Sequence, residues 1–157
     1  MAVLKILKFG EPTLRKVSRP VEEITPRIKT LLDDMIETMR VAGGCGLAAP
    51  QVGVLRRIAV IEVEDGKVYE LINPKIIAFT GEQQESEGCL SNPGEYGITK
   101  RPRAVTVRAM NRHGEEYDLS GTDLLARAIC HECDHLDGKL YTDVQIRPDR
   151  PMERRKK

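Results

Sequence analysis

The stretch TDLLARAICHECDHLDG, residues 122–138, decides how the rest of the chain is read. Leu124, Leu125, Ala128 and Ile129 recur at helical spacing, and Gly138 is the kind of residue that follows a helix end. The spacing predicts a helix from near Thr122 to His135. Inside it, His131-Glu132-Cys133-Asp134-His135 forms an H-E-x-x-H motif. At 3.6 residues per turn, His131 and His135 lie about 40° apart on one face, so both imidazoles can reach one metal ion. Glu132 points about 100° away from His131, beside the ion rather than on it. That is where a general base belongs, close to a water without taking up a coordination position. The plainer reading of the two histidines is a wet helix face.

A catalytic metal takes about three protein ligands plus water. The only other histidine, His113, falls in the turn Asn111-Arg112-His113-Gly114 and reads as a surface residue. The extended pattern H-E-x-x-H-x-x-G-x-x-H fits at Gly138 but ends on Tyr141, a poor ligand. A glutamate on a further helix does not fit either, because only 22 residues follow His135. The third ligand is therefore expected upstream. Cys133 lies about 200° round the helix from His131 and Cys130 about 100°, so both read as small buried residues. Cys45 and Cys89, each in a glycine-containing segment, remain as candidates.

Three segments then identify a relationship. Gly44-Cys45-Gly46-Leu47-Ala48-Ala49-Pro50-Gln51, Glu87-Gly88-Cys89-Leu90-Ser91 and the H-E-x-x-H segment resemble, in that order, the three motifs of the peptide deformylases. The resemblance implies that Cys89 joins His131 and His135 as metal ligand, with a water-filled fourth position. It implies that Gln51 and the Leu90 backbone N–H serve the oxyanion, and that formate is removed from N-formylmethionyl peptides. It further implies Fe²⁺ as the native ion, with Zn²⁺, Ni²⁺ or Co²⁺ as substitutes. Three positions depart from the family pattern: Cys45 and Asn92 stand where apolar residues are usual, and Cys130 where glutamine is usual.

The glycine-rich edge Gly44, Cys45 and Gly46 suits an extended peptide added as a strand. Leu47, Leu125 and Ala128 are candidate walls for a methionine pocket, although such residues also serve as core. Gln51 alternatively caps local backbone, and Glu87 is expected to pair with Arg101. Two rivals remain at this stage. One is an H-E-x-x-H protease cutting internal peptide bonds, which lacks a third ligand after His135. The other is a structural metal protein, with Cys45 completing a closed four-ligand site.

Working outward, Thr25-Pro26 starts a first helix whose apolar positions run from Ile28 to Met39 and which Gly43 and Gly44 stop. Arg57 to Val63 and Val68 to Ile72 read as strands joined at Asp65-Gly66, and Val105, Val107 and Ala109 alternate toward a return strand at Leu119. The expected class is α+β: antiparallel sheets packed around a central helix carrying H-E-x-x-H, with an N-terminal helix. One catalytic domain is expected over residues 1–146, with a short basic tail at 147–157. That tail holds six basic and two acidic residues, so the remainder of the chain sums to −3 against a total of +1. The balance argues against a specific nucleic-acid-binding core, although the tail suits a transient ribosome contact. No membrane span or secretory signal is read, the four cysteines suit a reducing compartment, and a cytoplasmic place is expected.

Overall fold

The computed structural model describes residues 2–150. Helix α1 (Pro26–Ala42) begins where the Thr25 side chain accepts a hydrogen bond from the Ile28 N–H at 3.3 Å. It ends at Gly43, whose φ of 74° is a conformation glycine adopts without a Cβ clash. Strand β1 (Gly46–Ala48) leads through a 3-10 turn (Ala49–Val52) to β2 (Ile58–Ile61) and β3 (Tyr69–Thr80). A hairpin of β4 (Gln83–Cys89) and β5 (Asn92–Arg101) follows, then β6 (Ala104–Met110) and β7 (Glu116–Thr122). Helix α2 (Asp123–Leu136) carries H-E-x-x-H, and the short α3 (Tyr141–Val144) precedes β8 (Gln145–Pro148).

The strands form two antiparallel sheets, ordered β1-β2-β3-β6-β7 and β4-β5-β8. Strand alternation explains how the first sheet holds both helices. Ile58 and Val60 join Leu32, Met35 and Met39 of α1, whereas Ala59 and Ile61 join Ala126, Ile129 and Leu136 of α2. The two apolar stripes read from the sequence thus bury against opposite faces of one sheet. The second sheet meets the other side of α2, where Glu87 of β4 bonds His131. The expected class of antiparallel sheets with few helices is therefore observed, but the H-E-x-x-H helix, expected as central, lies on the C-terminal side. Among the described residues no helix is long and apolar enough to cross a membrane.

Three features differ from the sequence expectation. Strand β3 does not stop at Ile72. Asn73-Pro74 interrupts its register, but the Asn73 side chain trades two 2.8 Å hydrogen bonds with the Val21 backbone, which supports the irregularity. The β4–β5 hairpin had no readable alternation, because its sequence is largely polar. Finally, Arg147 and Pro148 pair with Ile98 and Gly97 as part of β8, so sheet pairing runs across the boundary expected at 146/147. The rest of the expected tail, from residue 151, lies outside the described residues.

Candidate active site

His131 and His135 project from one face of α2 with their Nε2 atoms 3.2 Å apart. Cys89, the last residue of β4, brings its Sγ to 3.3 Å from His135 Nε2. All three donor atoms lie within 4.8 Å of one another. A tetrahedral ion with bonds of about 2.05 Å to nitrogen and about 2.3 Å to sulfur would set N–N and S–N separations near 3.3 and 3.6 Å. The observed spacing fits one ion held by Cys89, His131 and His135. Cys45 is not in the group among the described residues, so the closed four-ligand arrangement is not formed. Tyr141 is not a ligand either: its ring stacks on His131 at 6.2 Å between centroids, and its hydroxyl accepts from Asn92 at 3.0 Å.

The surroundings also suit a cation. His131 Nδ1 lies 2.5 Å from Glu87 Oε2. A carboxylate can only accept, so Nδ1 carries the proton and Nε2 keeps its lone pair for the site. Glu87 is in turn held by Thr99 Oγ1 at 2.8 Å and by Arg101 through Nε at 3.1 Å and Nη2 at 2.7 Å. Arg101 reaches Asp134 at 2.7 Å with its remaining arm. Burial works against the Glu87 carboxylate, but its bonds from His131 and Arg101 win and bring its pKa down to about 2. Burial also works against charge on His131, yet Glu132, Cys89 and Glu87 outweigh it and raise its proton affinity well above the usual range. Burial and the neighbouring His131 push His135 well below its usual value.

Glu132 stands beside the three donors. It is 3% exposed, and burial pushes its carboxyl up to about 7. Its Oε1 and the His135 Nδ1 are buried without a protein partner, and unpaired buried polar atoms of this kind call for a ligand or water. Space for Glu132 comes from Gly46, where an added Cβ would lie 2.4 Å from Glu132 Oε2. Gly44 performs a similar service for Leu90, whose side chain would meet a Cβ there at 2.6 Å.

Gln51 caps local backbone, one of its two sequence readings. Its Oε1 accepts from the Ala48 N–H at 3.0 Å, and its Nε2 donates to Ser91 Oγ at 3.0 Å and sits 3.5 Å from Cys89 Sγ. The amide is therefore locked at the edge of the donor group. Leu90 occupies the two-residue turn between β4 and β5, directly after Cys89.

A cavity of about 590 Å³ opens on these groups, and Gly44, Cys45, Gly46, Leu90 and Ala128 are among the residues that line it. Leu47 and Leu125, expected as walls, do not reach it. Alternation along β1 turns Leu47 into the α1 core, where it is fully buried, while Leu125 packs over Gly121. Leu124 and Arg127 take the wall of α2 instead. Cys130 and Cys133 are buried with the α2 core, and burial raises their thiols to about 11 and about 12. Sequence reasoning missed the Glu87–His131 bond and the Tyr141 stack. Glu87 and His131 are 44 residues apart, and no local pattern announces such a contact.

A sequence model of the polypeptide deformylase family matches residues 3–151. The peptide deformylase of Acetivibrio thermocellus is 58% identical over 158 residues, covering 99% of this chain and 92% of that protein. The crystal structure of a peptide deformylase from Legionella pneumophila superposes with a TM-score of 0.89 at 40% identity, over 99% of this chain and 90% of that one. The Ehrlichia chaffeensis peptide deformylase in complex with actinonin gives a TM-score of 0.90 at 35% identity, over 99% and 93%.

Proposed function

The chain belongs to the polypeptide deformylase family, metal-dependent hydrolases that remove the N-terminal formyl group from nascent polypeptides, and we propose that its own residues divide that work as follows. Cys89, His131 and His135 hold the ion. When bound, a divalent ion supplies Lewis acidity and brings water to ionisation near neutral pH. Glu132 takes the proton from the attacking water and hands it to the departing amine, which leaves poorly unless protonated. Its carboxyl, raised to about 7 by burial, is suited to exchanging a proton near neutrality. Gln51 and the Leu90 N–H receive the charge that builds on the formyl oxygen. The formamide and water become formate and the free amine of methionine. Glu87 orients His131, and Arg101 holds Glu87.

The substrate chain adds as a strand along Gly44, Cys45 and Gly46, with its methionine side chain against Leu90 and Ala128. Fe²⁺ is the native ion on the family resemblance, and thiolate with two imidazoles also accepts zinc, nickel or cobalt. The catalytic unit takes in residues 1–146 and extends through β8. The basic end beyond it makes a transient contact with the ribosome, and the protein works in the cytoplasm.

The observation that carries these assignments is the convergence of Cys89, His131 and His135 with Glu132 beside them. The test is formate release from formyl-Met-Ala-Ser by anaerobically purified protein, with metal analysis of the same sample. Glu132→Gln is expected to stay folded and metal-loaded while losing about 10²–10⁴ of the rate. A metal-free variant would make Glu132 a ligand, and a fully active one would remove it as proton shuttle.

A further inference from the structure

The cavity carries two cations to which no part in metal binding, proton transfer or oxyanion binding has been given. Lys8 and Arg127 both line it. Lys8 lies on the extended N-terminal segment, between Leu7, whose N–H donates to the Gln51 carbonyl at 2.7 Å, and Phe9, whose N–H donates to the Ser91 carbonyl at 2.9 Å. Alternation places Ile6 and Lys8 on the same side, and both reach the cavity. Arg127 lies one turn of α2 before His131 on the same face, about 6 Å away along the axis.

Arg127 is restrained but not neutralised. Its Nη1 donates to Gln83 Oε1 at 2.7 Å. Gln83 is itself buried, and its Nε2 donates to the Pro102 and Asp123 carbonyls, both at 2.9 Å. The Gln83 amide therefore cannot turn, and it fixes the guanidinium with a neutral oxygen. Arg101, Arg108 and Arg112 face carboxylates instead. Among the described residues neither Arg127 nor Lys8 makes an ion pair. Glu87 is committed to Arg101 and His131, and Glu132 to the reacting groups. Glu95 of β5 is the further carboxylate lining this cavity, and among the described residues it forms no ion pair with Lys8 or Arg127. A fixed, unpaired guanidinium in a concave wall, with an ammonium on a second wall, is suited to a carboxylate.

We propose that Lys8 and Arg127 select formylated chains carrying Asp or Glu as their second or third residue. Four residues of helix span about 6 Å, a length that about two residues of extended peptide also cover. The inference rests on the deformylase reading of the same cavity. Partly exposed charge pairs change an equilibrium by only a few-fold each, so the two cations together give a preference of about tenfold for Asp over Lys.

The test measures kcat/KM of the full, metal-loaded chain on C-terminally amidated formyl-Met-Ala-Ser, formyl-Met-Asp-Ser, formyl-Met-Lys-Ser, formyl-Met-Ala-Asp and formyl-Met-Ala-Lys. The Asp-to-Lys ratio should reach about tenfold at one of the two positions at low ionic strength. It should be carried by KM and shrink toward one in about 0.5 M salt. Arg127→Gln and Lys8→Gln should each cut the ratio about threefold, and the double variant should abolish it. A ratio of one or less at both positions in the unaltered protein, where folding of a variant is not in question, overturns the inference. So does a ratio unchanged in the folded double variant. Failure to turn over any of the peptides overturns the deformylase reading and the selectivity with it, whereas turnover without charge preference overturns the selectivity alone.

Discussion

Replacing Gly46 by alanine tests how Glu132 is held. The new Cβ would lie 2.4 Å from Glu132 Oε2 and 3.0 Å from its Cδ, whereas ordinary contact begins at 3.4 Å. One of the two groups must therefore give way by about 1 Å. The carboxylate is 3% exposed and Gly46 is paired with Ile61 in the sheet, so neither moves freely. A misplacement of about 1 Å at the reacting centre costs on the order of 10²-fold in rate. Overpacking of this kind costs about 1–3 kcal/mol of stability. The three atoms nearest the added Cβ all belong to Glu132, so metal content should stay at one ion per chain. The assay is formate release under saturating formyl-Met-Ala-Ser, with metal content and thermal unfolding measured on the same preparation. The drop should fall on kcat. If Gly46 served only as an edge for the substrate, KM would rise instead. A folded, metal-loaded variant with kcat within about twofold of the parent would refute the claim that this glycine sets the position of Glu132.

Cys89→Ser should lose most of its bound metal and activity, while Cys133→Ser should keep both at a packing cost of about 1–2 kcal/mol; equal metal loss in the two variants would overturn the ligand assignment. Gln51→Leu should bind metal and fold, but turn over at least ~10²-fold more slowly, as measured by kcat at full metal loading; a rate near the parent's would leave Gln51 as a purely local cap of Ala48. The acid stability of chelated protein should follow Glu87, whose pKa falls from 4.5 to about 2 on folding. Because the folded pKa is the lower one, this stabilisation is complete above the unfolded value and is lost as pH falls from there through about 2. The urea midpoint should therefore decline over that window, and less steeply in Glu87→Gln; identical profiles would show that the Glu87 network carries no such linkage.

The chemistry of the site was legible because its chief signals are local. Two histidines four apart on a helix share a face whatever else the chain does, and the glutamate after the first falls beside them. The same holds for α1, where Thr25, Pro26 and Gly43 mark the ends and Leu32, Met35 and Met39 mark the buried face. Resemblance to a family then chose Cys89 over Cys45, a choice that spacing alone left open. What only the tertiary structure decided depends on pairing between distant segments. The β4–β5 hairpin has little alternation of its own and forms because the two strands, and then β8, satisfy one another's backbone. Leu47 and Ala48 are both apolar, and only the sheet's placement between α1 and α2 sends the first to one core and the second to the other. The Glu87–His131 bond and the close fit of Gly46 against Glu132 join residues far apart in sequence. Sequence periodicity reports which face of an element is apolar. It carries no record of which other element will meet that face, and these contacts are set by that meeting.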